Sequence, residues 1–394
     1  LAEQGTTKKR KFKFKLRKSH IIALRVALVV LVILVLFFMA AETLGLASVS
    51  KINDNVRSFF TSLTPGEGYP YKINSSSVRQ MDVLNGNIFV LTNGETMSLD
   101  STAKVVKNAS HTYSTPVMSV NNGKAIVFNR DDNRYRVENR TETLYTGETA
   151  TTEKIITCAI GKSGNIAIAT TCDSAVSKLS VLNNNYKKEV YAWKCASDSI
   201  IAVSLSDNGK YAAVAVIGAR DGEIFSKIYI FDFEYQDPVS TFEYPGTAII
   251  DLNFVTNNKV VAIGDNLISF IDDLDEKEDK SYESNTLSNY CFAEDGTTVL
   301  VLSEYGSTNS QILTSYTKSF GVAFEEKLTS SVKSIHAANS RVSVLLDGEV
   351  LVYKGNGKLY KDYVTESNAI SVFNIGKNTY VYSMGKISKC TETK

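Results

Sequence analysis

Three histidines, one acidic run and one Gly-Lys-Ser step are the residues of this chain whose types and spacing invite a chemical reading. His20, His111 and His336 are too far apart in sequence for HExxH-like metal spacing. Gly161-Lys162-Ser163 has the end of a phosphate loop, but Ile156 stands where the first glycine belongs, and the step falls in a hairpin turn, not at a helix start. No G-x-S-x-G elbow occurs. Asp272, Asp273, Asp275, Glu276, Glu278 and Asp279 form the densest acidic run. Calcium is one reading; a solvated loop between two strands is the preferred one, since no glycine-centred loop with a terminal Glu follows. Asn129, Asp131 and Asn133 begin like a calcium loop, yet Arg140 stands where its Glu belongs. The five cysteines, Cys158, Cys172, Cys195, Cys291 and Cys390, match no zinc pattern. Cys158 and Cys172 flank one hairpin, so a disulfide is open there, against the alternative of buried core filler. The expectation is no enzyme, no cofactor and no metal.

The elements that must carry any binding chemistry come from a repeat. Two-residue polar turns, each between apolar strands, recur at Asn85-Gly86, Asn122-Gly123, Ser163-Gly164, Asn208-Gly209, Asn257-Asn258, Asp295-Gly296, Asn339-Ser340 and Gly376-Lys377. Asn-Gly and Asp-Gly favour tight hairpins because they accept positive φ. The clearest unit runs over 200–244: an apolar strand, the Asn208-Gly209 turn, a continuous apolar strand at 211–216, the K-I-Y-I-F-D-F strand at 227–233, and a more polar fourth strand. Four antiparallel strands per unit, repeated eight times, predict an all-β propeller over 69–394, with seven blades as the alternative. The last unit lacks a fourth strand, which residues 69–74 are expected to supply.

On a propeller, connections between second and third strands open at the same end as connections between blades. Two such connections are long: 217–226, offering Arg220, Asp221, Glu223 and Phe225, and 303–310, offering Glu304 and Tyr305. Charged residues around an aromatic suit protein recognition. The twenty tyrosines raise sugar stacking as a rival, although most occupy strand positions.

The N-terminal part reads differently. Residues 26–41 contain no polar side chain; extended to Ile21, the apolar stretch would make roughly 31 Å of helix. Lys8, Lys9, Arg10, Lys11, Lys13, Lys15, Arg17 and Lys18 precede it. The expected order is therefore a basic cytoplasmic tail over 1–20 lying on anionic lipid, a transmembrane signal-anchor over 21–46, and a juxtamembrane amphipathic helix and linker over 47–68. In that helix Val49, Ile52, Val56, Phe59, Phe60 and Leu63 fall at helical spacing, ended by Pro65-Gly66. Beyond residue 49 the chain holds 34 basic and 40 acidic residues, which argues against a nucleic-acid partner.

This plan, an Asn- and Lys-rich repeat domain behind one span, resembles the uncharacterised single-span membrane-anchored WD40-like or PQQ-like propeller proteins of anaerobic firmicutes. Trp-Asp dipeptides are absent, and the only tryptophan is Trp193. The resemblance implies a cell-envelope location and assigns no activity. The functional expectation is a membrane-anchored, non-enzymatic module with its C-terminal domain extracellular, docking a protein partner of the cell envelope. A binder of cell-wall polysaccharide or a small ligand is the alternative, and a diverged enzyme a more distant one.

Overall fold

A computed structural model describes residues 25–26, 28–29, 32–33, 47–73, 77–307 and 309–391. The chain divides into two compact units, residues 1–53 and 54–394. The second contains eight four-stranded antiparallel sheets, taken here as blades 1 to 8. Blades 1 to 7 occupy 78–110, 116–148, 155–195, 199–245, 249–281, 286–328 and 334–364. Blade 8 takes three strands from 369–389 and its fourth from Tyr71–Lys72, which pairs with Lys386–Lys389. The domain is thus the eight-bladed propeller that the turn spacing predicts, closed by backbone pairing of its two ends.

All eight expected turns join the first and second strands of a blade. Asn85, Gly86, Asn122, Gly123, Gly209, Gly296, Asn339, Ser340 and Gly376 take positive φ there, as such turns require. Second strands such as Asn87–Thr92 are buried throughout, because both of their faces meet other blades. Outer strands are polar. The acidic run is one case: Asp273 and Leu274 form the turn, and Glu276–Ser281 is the outermost strand of blade 5, not a loop. Its carboxylates meet lysines, Asp279 with Lys277 at 2.8 Å and Asp272 with Lys259. The cysteines are free, Cys158 among them, so no disulfide spans that hairpin.

The core is a set of eight apolar clusters, one at each seam between neighbouring blades among the described residues. The closing seam joins Ile73, Tyr380 and Ile387 to Ile88, Val90, Met97 and Leu99 of blade 1. The seam between blades 1 and 2 also holds charge. Glu138, fully buried, receives Lys107 at 2.7 Å and the Arg136 guanidinium, while Thr96 donates to it at 2.8 Å. Burial pulls the Lys107 ammonium downward, opposed by Glu138.

The helix Ala47–Ser62 (α1) lies where the apolar spacing places one. From Asp54 onward it is fixed to blades 1 and 2. Asp54, 2% exposed, accepts from Arg140 at 2.9 Å and Asn85 at 3.2 Å, and Arg57 pairs with Glu142 at 2.9 Å. Val56, Phe59, Phe60 and Leu63 remain exposed.

The expected membrane anchor is not found. Among the described residues no helix is long and apolar enough to cross a membrane. The helix α1, at 16 residues and with Lys51, Asp54 and Arg57 along it, is too short and too charged. Within 21–46 only six residues are described. Lys8, Lys9, Arg10, Lys11, Lys13, Lys15, Arg17 and Lys18 lie outside the described residues. The signal-anchor, the single-pass placement with an extracellular C-terminal domain and the lipid contact fall with the span. An apolar run licenses a span by its transfer energy alone, and composition does not supply the continuous helix that a span also needs.

Two outcomes follow for stability. Ile387→Ala empties space in the closing seam and is expected to cost about 2–5 kcal/mol by urea denaturation, whereas exposed Ile370→Ala costs less than about 0.5. Glu138→Ala leaves Lys107 and Arg136 buried without their counter-charge and is expected to cost about 3–5 kcal/mol in the same assay.

Candidate functional site

Blade 4 differs from its neighbours at the end where blades are joined. Its second and third strands, Tyr211–Arg220 and Glu223–Asp232, are ten residues each. The inner strand stops pairing at Ser199–Ile217, but the hairpin continues through Gly218–Phe225, Ala219–Ile224 and Arg220–Glu223. Three further pairs raise it by about 10 Å. Asp221 and Gly222, at φ +53° and +84°, make the two-residue turn. The segment expected as a loop is therefore a projecting β-hairpin.

Its side chains are arranged, not loose. Phe225 lies between Arg220, 4.9 Å from the ring centroid, and Lys227 at 5.7 Å. Gly218 allows this: a Cβ there would fall 2.4 Å from an Asp198 oxygen and 2.8 Å from the Phe225 ring. Ile224, 52% exposed, faces solvent, and the Gly246 amide donates to its carbonyl at 2.9 Å. Asp221 and Glu223 complete a mixed-charge tip.

At the same end of blade 6 the other expected loop is closed by Glu304 and Ser310, with the Glu304 amide donating at 3.0 Å. The Glu304 carboxylate pairs with Lys327 at 2.9 Å; a hydrogen bond from Ser310 and then that pairing hold its pKa below the ordinary value. Tyr305 is 84% exposed. The six expected contact residues thus share one end of the ring but form two groups, with blade 5 between them.

A third feature had no sequence signal. Six inner strands carry a register shift one or two residues from their start, and the extra residue is Arg79, Ile156, Ile201, Ile250, Ser288 or Ile370. A bulge pushes its extra residue out of the ladder. Ile250 and Ile370 are about half exposed, and Ile156 and Ile201 are partly buried. The same bulge thus carries an isoleucine in blades 3, 4 and 5, with Ile201 packed into the seam between blades 4 and 5.

Deeper in, polar side chains tie inner strand to inner strand. Gln80 accepts from the Met118 amide at 2.7 Å, Ser204 from Phe254 at 3.0 Å, and His336 Nδ1 from Asn374 at 3.2 Å. Tyr290 donates to Asp251 at 3.2 Å. Burial raises Asp251 to about 6 and Asp82 likewise, the latter also through Glu294. Burial lowers His336 to about 4, so its imidazole is neutral at ordinary pH. These groups lie in different blades with their own partners. Among the described residues no three His, Cys, Asp or Glu gather as a metal site. Tyr113, Tyr135, Tyr186, Tyr191, Tyr244 and Tyr380 are buried in seams, where they pack and do not offer faces to a sugar.

A family model described as a family of unknown function (DUF5711) matches residues 68–390, the whole propeller. The chain belongs to that family. The match supports an uncharacterised propeller domain and does not reach the N-terminal segment on which the membrane-anchored part of the resemblance rested. No curated protein matches the chain. Among solved structures, BamB from Moraxella catarrhalis aligns at 12% identity and a TM-score of 0.49, over 82% of this chain and all of that one. The Pan2 WD40 domain from Neurospora crassa aligns at 11% and 0.42, over 57% of this chain and 71% of that one.

The raised aspartates give a pH signature. An Asp251 carboxyl that holds its proton more tightly when folded adds stability below pH 4, and loses it as pH rises through about 6. Asp251→Asn removes the titration while its oxygen still accepts from the Leu252 amide and its NH2 can donate to the Tyr290 hydroxyl. Relative to wild type it is expected to gain roughly 1–3 kcal/mol between pH 4 and pH 7 in urea midpoints. An unchanged difference at the two pH values would refute the assignment.

Proposed function

We infer that this chain is a non-enzymatic interaction or scaffold module that docks a protein on the end of the propeller where its blades are joined. The observation that carries this reading is the blade 4 hairpin. It rises about three residue pairs above the ring with Ile224 exposed at its edge and Arg220 stacked on Phe225. An apolar centre with an aromatic–arginine anchor and a charged rim is the make-up of a protein-binding patch. Arg220, Asp221, Glu223 and Phe225 act as the main contact, and Glu304 and Tyr305 as a second one across blade 5. The fold suits such a role, since rigid blades hold the contact residues in place without a partner.

A photo-crosslinker placed at Ile224 in the cells that make the protein, read by mass spectrometry, tests this. The expected product is a protein adduct whose yield falls at least tenfold when Phe225→Ala and Tyr305→Ala are added, with the melting temperature of the purified chain little changed. An adduct yield indifferent to those substitutions, or one equalled by a crosslinker on the opposite end of the ring, would refute it.

A further inference from the structure

The turns between third and fourth strands share one hydrogen-bonded form in blades 1, 3, 6 and 7. The amide of Ala103, Tyr186, Phe320 or Gly357 donates to the carbonyl three residues earlier, on Asp100, Asn183, Thr317 or Lys354. All four residues have left-handed backbone, with φ of 62°, 65°, 68° and 81°. In blade 3 that place holds Tyr186, which closes the seam with blade 2 and receives Lys124 on its hydroxyl at 2.9 Å. In blade 6 it holds Phe320, whose ring lies 5.0 Å from Phe270 of blade 5, with Lys259 at 4.9 Å. In blade 7 it holds glycine, pressed so close to blade 6 that a Cβ would fall 2.6 Å from Phe324. The Phe324 ring takes that place from blade 6, and elsewhere the seam between blades 6 and 7 keeps a cavity of about 680 Å³.

The cavity gathers positive charge. Lys318 comes from the turn of blade 6, and Arg341 and Lys354 are cross-strand partners in blade 7. The Arg341 guanidinium lies 4.6 Å and the Lys354 ammonium 5.5 Å from the centroid of one ring, Tyr360. Gly296, at φ +87°, lets its turn approach the Lys318 Cβ, where a side chain would fall at 2.9 Å. Among the described residues none of the three cations has a carboxylate partner; Arg341 is half-buried, and Lys318 and Lys354 are exposed at the mouth. Asp295 is the one acid on the wall, and it accepts the Thr297 amide at 3.0 Å. Ala293, Ala323, Ala337 and Val342 give the rest a small apolar lining.

We propose that the cavity between blades 6 and 7 binds a small molecule carrying a phosphate monoester. Three cations against one carboxylate leave about two positive charges, which match the near-dianion of a phosphate monoester; a single carboxylate would neutralise only one. The Arg341 fork takes two oxygens, Lys318 and Lys354 act as point charges, and the body of the ligand rests on the alanines. The volume lies in the usual range for small-molecule sites, about 300–1,000 Å³. This site is at the opposite end of the ring from the hairpin of blade 4 and is independent of the docking role.

Isothermal titration of the full chain with phenyl phosphate tests the assignment, with benzoate as a carboxylate of similar body and sodium chloride at matched ionic strength. Saturable binding of phenyl phosphate is expected, with benzoate at least tenfold weaker. Arg341→Gln with Lys354→Gln should weaken binding at least tenfold. Lys318→Gln, an isolated change in the other blade, should weaken it severalfold with the melting temperature unchanged. Absence of saturable heat at millimolar phenyl phosphate, equal binding of benzoate, or affinity indifferent to Lys318→Gln would overturn the proposal.

Discussion

Each blade of this propeller is completed only by its neighbour. The apolar residues of second and third strands belong to clusters that straddle seams, so a blade taken alone would expose the face that its partner covers. That makes ring closure the condition for everything else. The short pairing of Tyr71–Lys72 with Lys386–Lys389 contributes few hydrogen bonds of its own. Its weight comes from position: it brings Ile73 and Ile387 onto blade 1 and turns an open stack with two exposed ends into a cycle with none.

A closed ring also dictates where variation is cheap. Seam residues are constrained from two sides, as the fully buried Glu138 with its two cations illustrates. The connections at the ring ends touch fewer neighbours. Blade 4 lengthens one hairpin by three pairs without disturbing its inner strand, because the extension is held by its own ladder and by Gly246. Blade 7 loses a ring at Gly357 and keeps its seam, because Phe324 and Tyr353 still pack at 5.9 Å.

The legible part of the sequence was the part written in local chemistry. Asn85-Gly86 and its seven counterparts announce hairpins because positive φ is costly for most other residues, and their spacing then counts the blades. The continuous apolar second strands follow from burial on both faces. The six expected contact residues were singled out because their connections were longer than the rest, although a ladder extended by Ile224 and Phe225 looks the same in sequence as a loop. The bulges at Ile156, Ile201 and Ile250 were illegible, since an extra residue in a strand changes register with a partner that sequence alone does not align. The membrane span was a reading of hydropathy and of the basic residues before it, with no positional partner to test it.

The cavity of blades 6 and 7 was hidden for a different reason: its wall is shared by turns and strands of two blades that are far apart in sequence. Gly357 in isolation reads as one more turn glycine. Its meaning appears only when its turn is superposed in hydrogen-bond pattern on those of Tyr186 and Phe320, where the same backbone place carries a ring that fills the preceding seam. In those seams Lys124 and Lys259 lie against the ring, so a cation beside this turn is a recurring arrangement. In blade 7 the ring beside the cations is Tyr360, which meets Arg341 and Lys354. There two cations share one aromatic face, and among the described residues neither has a carboxylate partner.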